Sequence, residues 1–220
     1  MNDLTAAPPT AIVLPLPDAR LQGELALPRG ATGLVVFVHG SGSSRFSPRN
    51  RLVAQHFNAL GLGTLLFDLL TAQEHRVDEM TREFRFDIPL LAGRMVQVID
   101  WLAAERSLHA LRLGLFGAST GAAAALIAAA ERPERVSSVV ARGGRTDLAG
   151  DATARVRAPT LLLAGARDET ILALNRDTAR ALAAPHQLVK VPGASHLFEE
   201  PGTLEQVASI AGQWFLQHLR

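Results

Sequence analysis

From residue 33 onward, short apolar runs alternate with longer stretches of mixed polarity. The runs are Leu34 to Val38, Thr64 to Phe67, Leu111 to Phe116, Val136 to Val140, Thr160 to Leu163 and Gln187 to Val191. Several are apolar at nearly every position, which suits strands covered by helices on both faces. Between them lie stretches that predict helices at Pro48 to Leu60, Asp87 to Glu105, Ser119 to Glu131, Ile171 to Ala184 and Thr203 to Leu219. Pro48 and Pro89 suit first-turn positions and Gly61 a helix C-terminus. Strand and helix in alternation predict βαβ units around a mainly parallel sheet. Upstream, Ala11 to Leu14 and Gln22 to Leu27 flank Pro15-Leu16-Pro17-Asp18-Ala19-Arg20, a turn-rich segment that predicts an antiparallel pair at the sheet edge. The charge-rich segment Thr71 to Arg85 has no clear period and reads as a solvated connection or as a flap over a pocket.

Composition adds bounds to this picture. At 220 residues, 48% hydrophobic and 20% charged, the chain suits one domain over residues 1–220 with a substantial core, residues 1–10 being flexible. A net charge of +1 without a lysine or arginine run lacks the electrostatic footprint of a nucleic-acid binder. With no cysteine, a disulfide framework, a thiolate metal site and a cysteine nucleophile are all excluded. The N-terminal residues lack a signal-peptide pattern, so a cytoplasmic location is expected. The longest apolar tract, Gly121 to Ala130, is too short to span about 30 Å of hydrocarbon, so no membrane partner is expected.

The chemistry concentrates at Gly117-Ala118-Ser119-Thr120-Gly121, between the predicted strand Leu111 to Phe116 and an alanine-rich helix. A strand, sharp turn and helix around G-x-S-x-G present a serine hydroxyl to a base, and glycines permit the tight approach. Ser119 is therefore the candidate nucleophile, its other reading being a cap for the helix. A serine hydroxyl needs a general base, and the base needs an acid to orient it. His196 follows the last predicted strand on a glycine-containing loop, in the chain order that places histidine last. Asp168 follows strand Thr160 to Leu163 and is the candidate acid, with Asp147 and Glu169 as rivals and helix capping as its other reading. The oxyanion donors expected are the backbone N–H of Thr120 and that of Ser41, in Val38-His39-Gly40-Ser41-Gly42-Ser43. Arg142 and Arg145 leave the predicted sheet near Ser119. They read either as donors for an acidic substrate group or as fixings for the loop through backbone carbonyls or Asp147. The glycine loop lacks a nucleotide-binding pattern and no H-E-x-x-H occurs, so neither metal nor cofactor is expected.

With these motifs the chain resembles the α/β-hydrolase superfamily, and most closely its compact dienelactone-hydrolase-like members. The phrases Leu66-Phe67-Asp68-Leu69-Leu70-Thr71 and Val140 to Gly150 add to the likeness. The resemblance implies an α/β-hydrolase fold with an eight-stranded, mostly parallel sheet, and hydrolysis of an ester or related acyl group through an acyl-enzyme. Dienelactone hydrolases proper carry a cysteine where this chain has Ser119, so a carboxylesterase-like activity on a small-molecule acyl substrate is expected. Only about twenty residues separate the strands at Val136 and Thr160, which leaves no room for a sizeable cap. Thioester, lactone and peptide cleavage stay open, as does a non-catalytic ligand-binding role.

Overall fold

The computed structural model describes residues 8–219. Eight strands form one sheet: β1 (Thr10–Pro15), β2 (Arg20–Ala26), β3 (Gly33–Val38), β4 (Gly63–Phe67), β5 (Arg112–Ala118), β6 (Val136–Arg142), β7 (Thr160–Gly165) and β8 (His186–Val191). Their order is β1-β2-β4-β3-β5-β6-β7-β8. β1 with β2 and β2 with β4 are antiparallel, and every pairing from β4 to β8 is parallel. Of the segment expected to be flexible, residues 1–7 lie outside the described residues, and Thr10 already belongs to β1.

Continuous apolar strands are explained by what lies on each side. Along β3, Leu34, Val36 and Val38 join a core layer with α3 (Ile88–Ala104) and α4 (Thr120–Glu131). The alternate residues Val35 and Phe37 join the opposite layer, with α1 (Pro48–Ala59) and α6 (Thr203–His218). Side chains alternate across a strand, so a strand buried on both faces is apolar at most positions. In α4 the run Ala122 to Ala125 is 0% exposed, and small side chains let this helix press onto the sheet.

The charge-rich connection Thr71 to Arg85 contains a helix that the sequence reading did not name, α2 (Ala72–Thr81). Thr71 Oγ1 accepts the Glu74 N–H while Glu74 accepts the Thr71 N–H, a reciprocal cap visible in the sequence as T-x-x-E. Polar residues dominate the helix, so it lacks the apolar stripe that announces a helix by periodicity. Charge holds it instead. Glu74 pairs with the buried Arg94 of α3, which also reaches Asp18. Asp78, 2% exposed, accepts the N–H groups of Phe84 and Arg85 at 2.9 and 2.8 Å and the Arg85 Nε–H at 2.7 Å. Between β6 and β7 the chain makes only 3-10 turns over Thr146–Arg155, and α5 (Glu169–Ala181) follows β7. Among the described residues no large cap is built over the sheet.

Candidate active site

Ser119 stands between the end of β5 and the start of α4 with φ 51° and ψ −121°, a backbone region that costs a non-glycine residue on the order of 1–3 kcal/mol. Neighbours hold it there. Its N–H donates to the Arg142 carbonyl at 3.2 Å, and its own carbonyl accepts from Ala122 and Arg145 at 3.1 and 2.9 Å. A methyl group on Gly121 would lie 2.1 Å from the Val38 carbonyl oxygen, so only glycine allows the helix this close to β3. Although Ser119 occupies the N-cap position, its hydroxyl makes no capping bond. The hydroxyl is not committed to the helix.

His196 lies on the loop after β8, anchored by Phe198, 1% exposed, and by the Ser195 N–H, which donates to Glu200 at 3.0 Å. Its Nδ1 is 2.7 Å from Asp168 Oδ2. A carboxylate can only accept, so in the neutral imidazole this pairing places the proton on Nδ1 and leaves a lone pair on Nε2. The other oxygen, Asp168 Oδ1, accepts the Ile171 N–H at 3.2 Å and caps α5. The two readings of Asp168 thus hold together, one on each oxygen. A methyl on Gly143 would lie 3.7 Å from His196 Cε1, and Gly143 follows the residue whose carbonyl holds the Ser119 N–H. His196 and Asp168 are thus paired, and Ser119 is tied by its N–H to the residue before Gly143, which His196 adjoins. Of the rival acids, Asp147 is taken by Arg145 at 2.9 and 2.8 Å, which also holds its carboxyl below the usual range. His186 and His218 bond to backbone carbonyls elsewhere.

The loop after β3 closes the other side of the serine. A methyl on Gly40 would lie 3.0 Å from Ser119 Cβ, so backbone reaches the nucleophile directly. Among the described residues the Ser41 N–H has no acceptor. The Thr120 N–H, in the first turn of α4, is a donor that a helix leaves without an internal partner. His39, 7% exposed, fixes the loop: its Nδ1–H donates to the Gly40 carbonyl at 2.9 Å, and Nε2 accepts the Leu69 N–H at 3.1 Å. Burial lowers its pKa and keeps it neutral, the form that one donated and one accepted bond require. Arg85 Nη1 would lie 3.2 Å from a methyl on Gly42, so the Asp78–Arg85 pair braces the same loop. Neither residue was singled out from the sequence; an aspartate seven residues before an arginine in a polar stretch looks like ordinary surface charge. A cavity of about 360 Å³ opens beyond this loop among Arg45, Asp68, Leu70 and His75, but neither Ser119 nor His196 lines it.

The two arginines separate. Arg145 pairs with Asp147, the loop-fixing reading. Arg142 is 8% exposed, and its Nε and Nη1 are buried with no hydrogen-bond partner. Among the described residues no cluster of three or more His, Asp or Glu could hold a metal, and no helix is long and apolar enough to cross a membrane.

Residues 21–215 match the model of the dienelactone hydrolase family. A crystal structure of a dienelactone hydrolase from Anabaena variabilis is 52% identical, with a TM-score of 0.95, over 96% of this chain and 98% of that one. Est1E from Butyrivibrio proteoclasticus shares the fold at 15% identity and a TM-score of 0.78, over 94% of this chain and 98% of that one. Two Mycobacterium tuberculosis proteins, provisionally named phosphoribosyl transferases, are 53% identical over 205 residues. These cover 93% of this chain but 45% of the relative, so the chain spans about half the length of the curated relatives it matches.

Proposed function

The chain belongs to the dienelactone hydrolase family, and from that premise we propose that it is a serine hydrolase cleaving a small carboxylic ester through Ser119, His196 and Asp168. The observation that carries the reading is the 2.7 Å bond from His196 Nδ1 to Asp168, beside a serine held in a strained turn with its hydroxyl unused. His196 Nε2 takes the Ser119 proton as Oγ bonds to the substrate carbonyl carbon. The negative charge that develops on the carbonyl oxygen meets the N–H groups of Ser41 and Thr120. When the tetrahedral intermediate collapses, the carbon–oxygen bond to the alcohol breaks and His196 returns the proton to the departing oxygen. Water, deprotonated by His196, then releases the acid and restores Ser119. Asp168 keeps the imidazole in the required tautomer throughout.

The absence of a large cap supports small substrates over bulky ones. The phosphoribosyl transferase name belongs to proteins about twice this length and carries no weight for this chain. Labelling with a fluorophosphonate probe, located by mass spectrometry, tests the proposal. Modification of Ser119, turnover of short aryl esters and loss of both in Ser119→Ala are expected. A folded protein with Ser119 unlabelled and no ester turnover points to a ligand-binding role instead.

A further inference from the structure

Where β6 ends, the segment Arg142 to Thr146 packs against both halves of the candidate site. The Arg142 carbonyl accepts the Ser119 N–H at 3.2 Å, and the Arg145 N–H donates to the Ser119 carbonyl at 2.9 Å. Between them, Gly143 takes φ 54° and its N–H donates to the Leu163 carbonyl of β7 at 2.8 Å. A methyl on Gly143 would lie 3.1 Å from the His196 carbonyl oxygen, and one on Gly144 would lie 2.7 Å from Ala122 Cβ in α4. Both positions favour glycine, so the middle of the segment has no side chain with which to anchor itself.

The anchor comes from α5. Asn175, in the middle of that helix and 0% exposed, donates from Nδ2 to the Gly144 carbonyl at 2.9 Å and to the Ile171 carbonyl at 2.8 Å. Ile171 is the residue whose N–H Asp168 Oδ1 accepts. One amide therefore joins the helix that Asp168 caps to the segment that clamps Ser119. Stability is a poor reason for an amide here. Asparagine is a weak helix former, and Asn175 Oδ1 is buried without a hydrogen-bond partner. A leucine would remove that bare oxygen and leave another, because among the described residues the Gly144 carbonyl accepts no backbone N–H. The two costs are of one kind and offset each other. What the amide adds is geometry.

We propose that Asn175 is a positioning residue: through the Gly144 carbonyl it sets the place of Ser119 relative to the His196–Asp168 pair. It thereby governs the rate of attack by the serine and not the binding of the ester. The inference rests on the hydrolase reading for the reaction it serves. Misplacing a reacting group by about 1 Å can slow a reaction of oriented groups about a hundredfold. Gly144 directly precedes Arg145, whose N–H holds the Ser119 carbonyl, so loss of this tie reaches the nucleophile through one residue.

Two variants test this. Asn175→Leu removes the donor at similar volume. Asn175→Ser keeps a donor for the Ile171 carbonyl one turn back but is too short to reach Gly144. In both, kcat with 4-nitrophenyl acetate is measured per site titrated to completion by a fluorophosphonate probe. It is expected to fall about tenfold or more, with KM within about twofold of wild type. The rate constant for labelling Ser119 is expected to fall by the same factor. A merely structural amide gives another pattern, lower stability in urea with kcat per titrated site and labelling rate unchanged, and that pattern overturns the proposal. A rise in KM at constant kcat overturns it too, as does failure of both variants to fold. Labelling of the wild-type protein tests the hydrolase reading separately. Wild-type protein without labelling or turnover ends both readings, whereas labelled wild type with unimpaired variants ends only the role of Asn175.

Discussion

The two sides of Ser119 are built on opposite rules. On the side of the loop after β3, buried charge and hydrogen-bonding groups find partners inside the protein: His39 with Gly40 and Leu69, Asp78 with Phe84 and Arg85, Arg94 with Glu74 and Asp18. On the β6 side, Arg142 is buried with bare donors, and the charge that acts on it is another arginine. Full pairing makes a rigid mould, which suits backbone N–H groups that must already point at a developing oxyanion. An unpaired buried cation carries a cost that pairing within the fold has not offset. One side is satisfied within the fold, and the other keeps buried donors without partners.

The comparison can be broken most severely at its centre. Ser119→Ala is expected to lower ester turnover by about 10⁴-fold or more, as loss of an activated serine does, without unfolding the protein; retained turnover would remove the reference point of both sides. Asp168→Asn is expected to lower kcat nearly as far, since the amide disturbs the His196 tautomer, measured with the same aryl esters.

Stability then separates the sides by sign. Asp78→Asn removes a carboxylate that accepts three N–H groups with side-chain or backbone donors of Phe84 and Arg85, and leaves Arg85 unpaired. A loss of about 3 kcal/mol in urea unfolding is expected, with a fall in turnover because Arg85 no longer braces Gly42. Arg142→Met, on the open side, is expected to stabilise the unliganded protein by about 1–3 kcal/mol, because it replaces an uncompensated buried charge with an apolar side chain of similar length. A destabilised Arg142→Met protein would mean that the guanidinium is a structural fixing and that the two sides do not differ.

The smallest effect is in pH. His39 has its pKa lowered in the folded protein, so the unfolded chain binds the proton more readily. Stability owed to neutral His39 is therefore complete above the ordinary value near 6.5 and is lost as pH falls through the folded pKa. His39→Gln can donate to Gly40 and accept from Leu69 without titrating. It is expected to flatten the stability profile below pH 6.5 by at most about 1.4 kcal/mol per pH unit.

Much of this was determined locally, because much of it rests on short-range physics. Continuous apolar runs specify doubly covered strands, Pro48 and Gly61 mark helix ends, and Gly117 to Gly121 can be accommodated only in a tight strand-to-helix turn. The order of Ser119, Asp168 and His196 along the chain follows from which strand each one leaves. The helix at Ala72–Thr81 escaped because a polar helix held by ion pairs has no hydrophobic period, although its T-x-x-E cap is written in Thr71 and Glu74. Only the tertiary structure could decide among like charges. Arg142 and Arg145 stand three residues apart with the same chemistry, yet one turns outward to Asp147 and the other is sealed over Phe198 beside Arg49. Whether a charge is paired depends on residues brought from distant strands and helices, so pairing is a property of the folded chain and not of its local sequence.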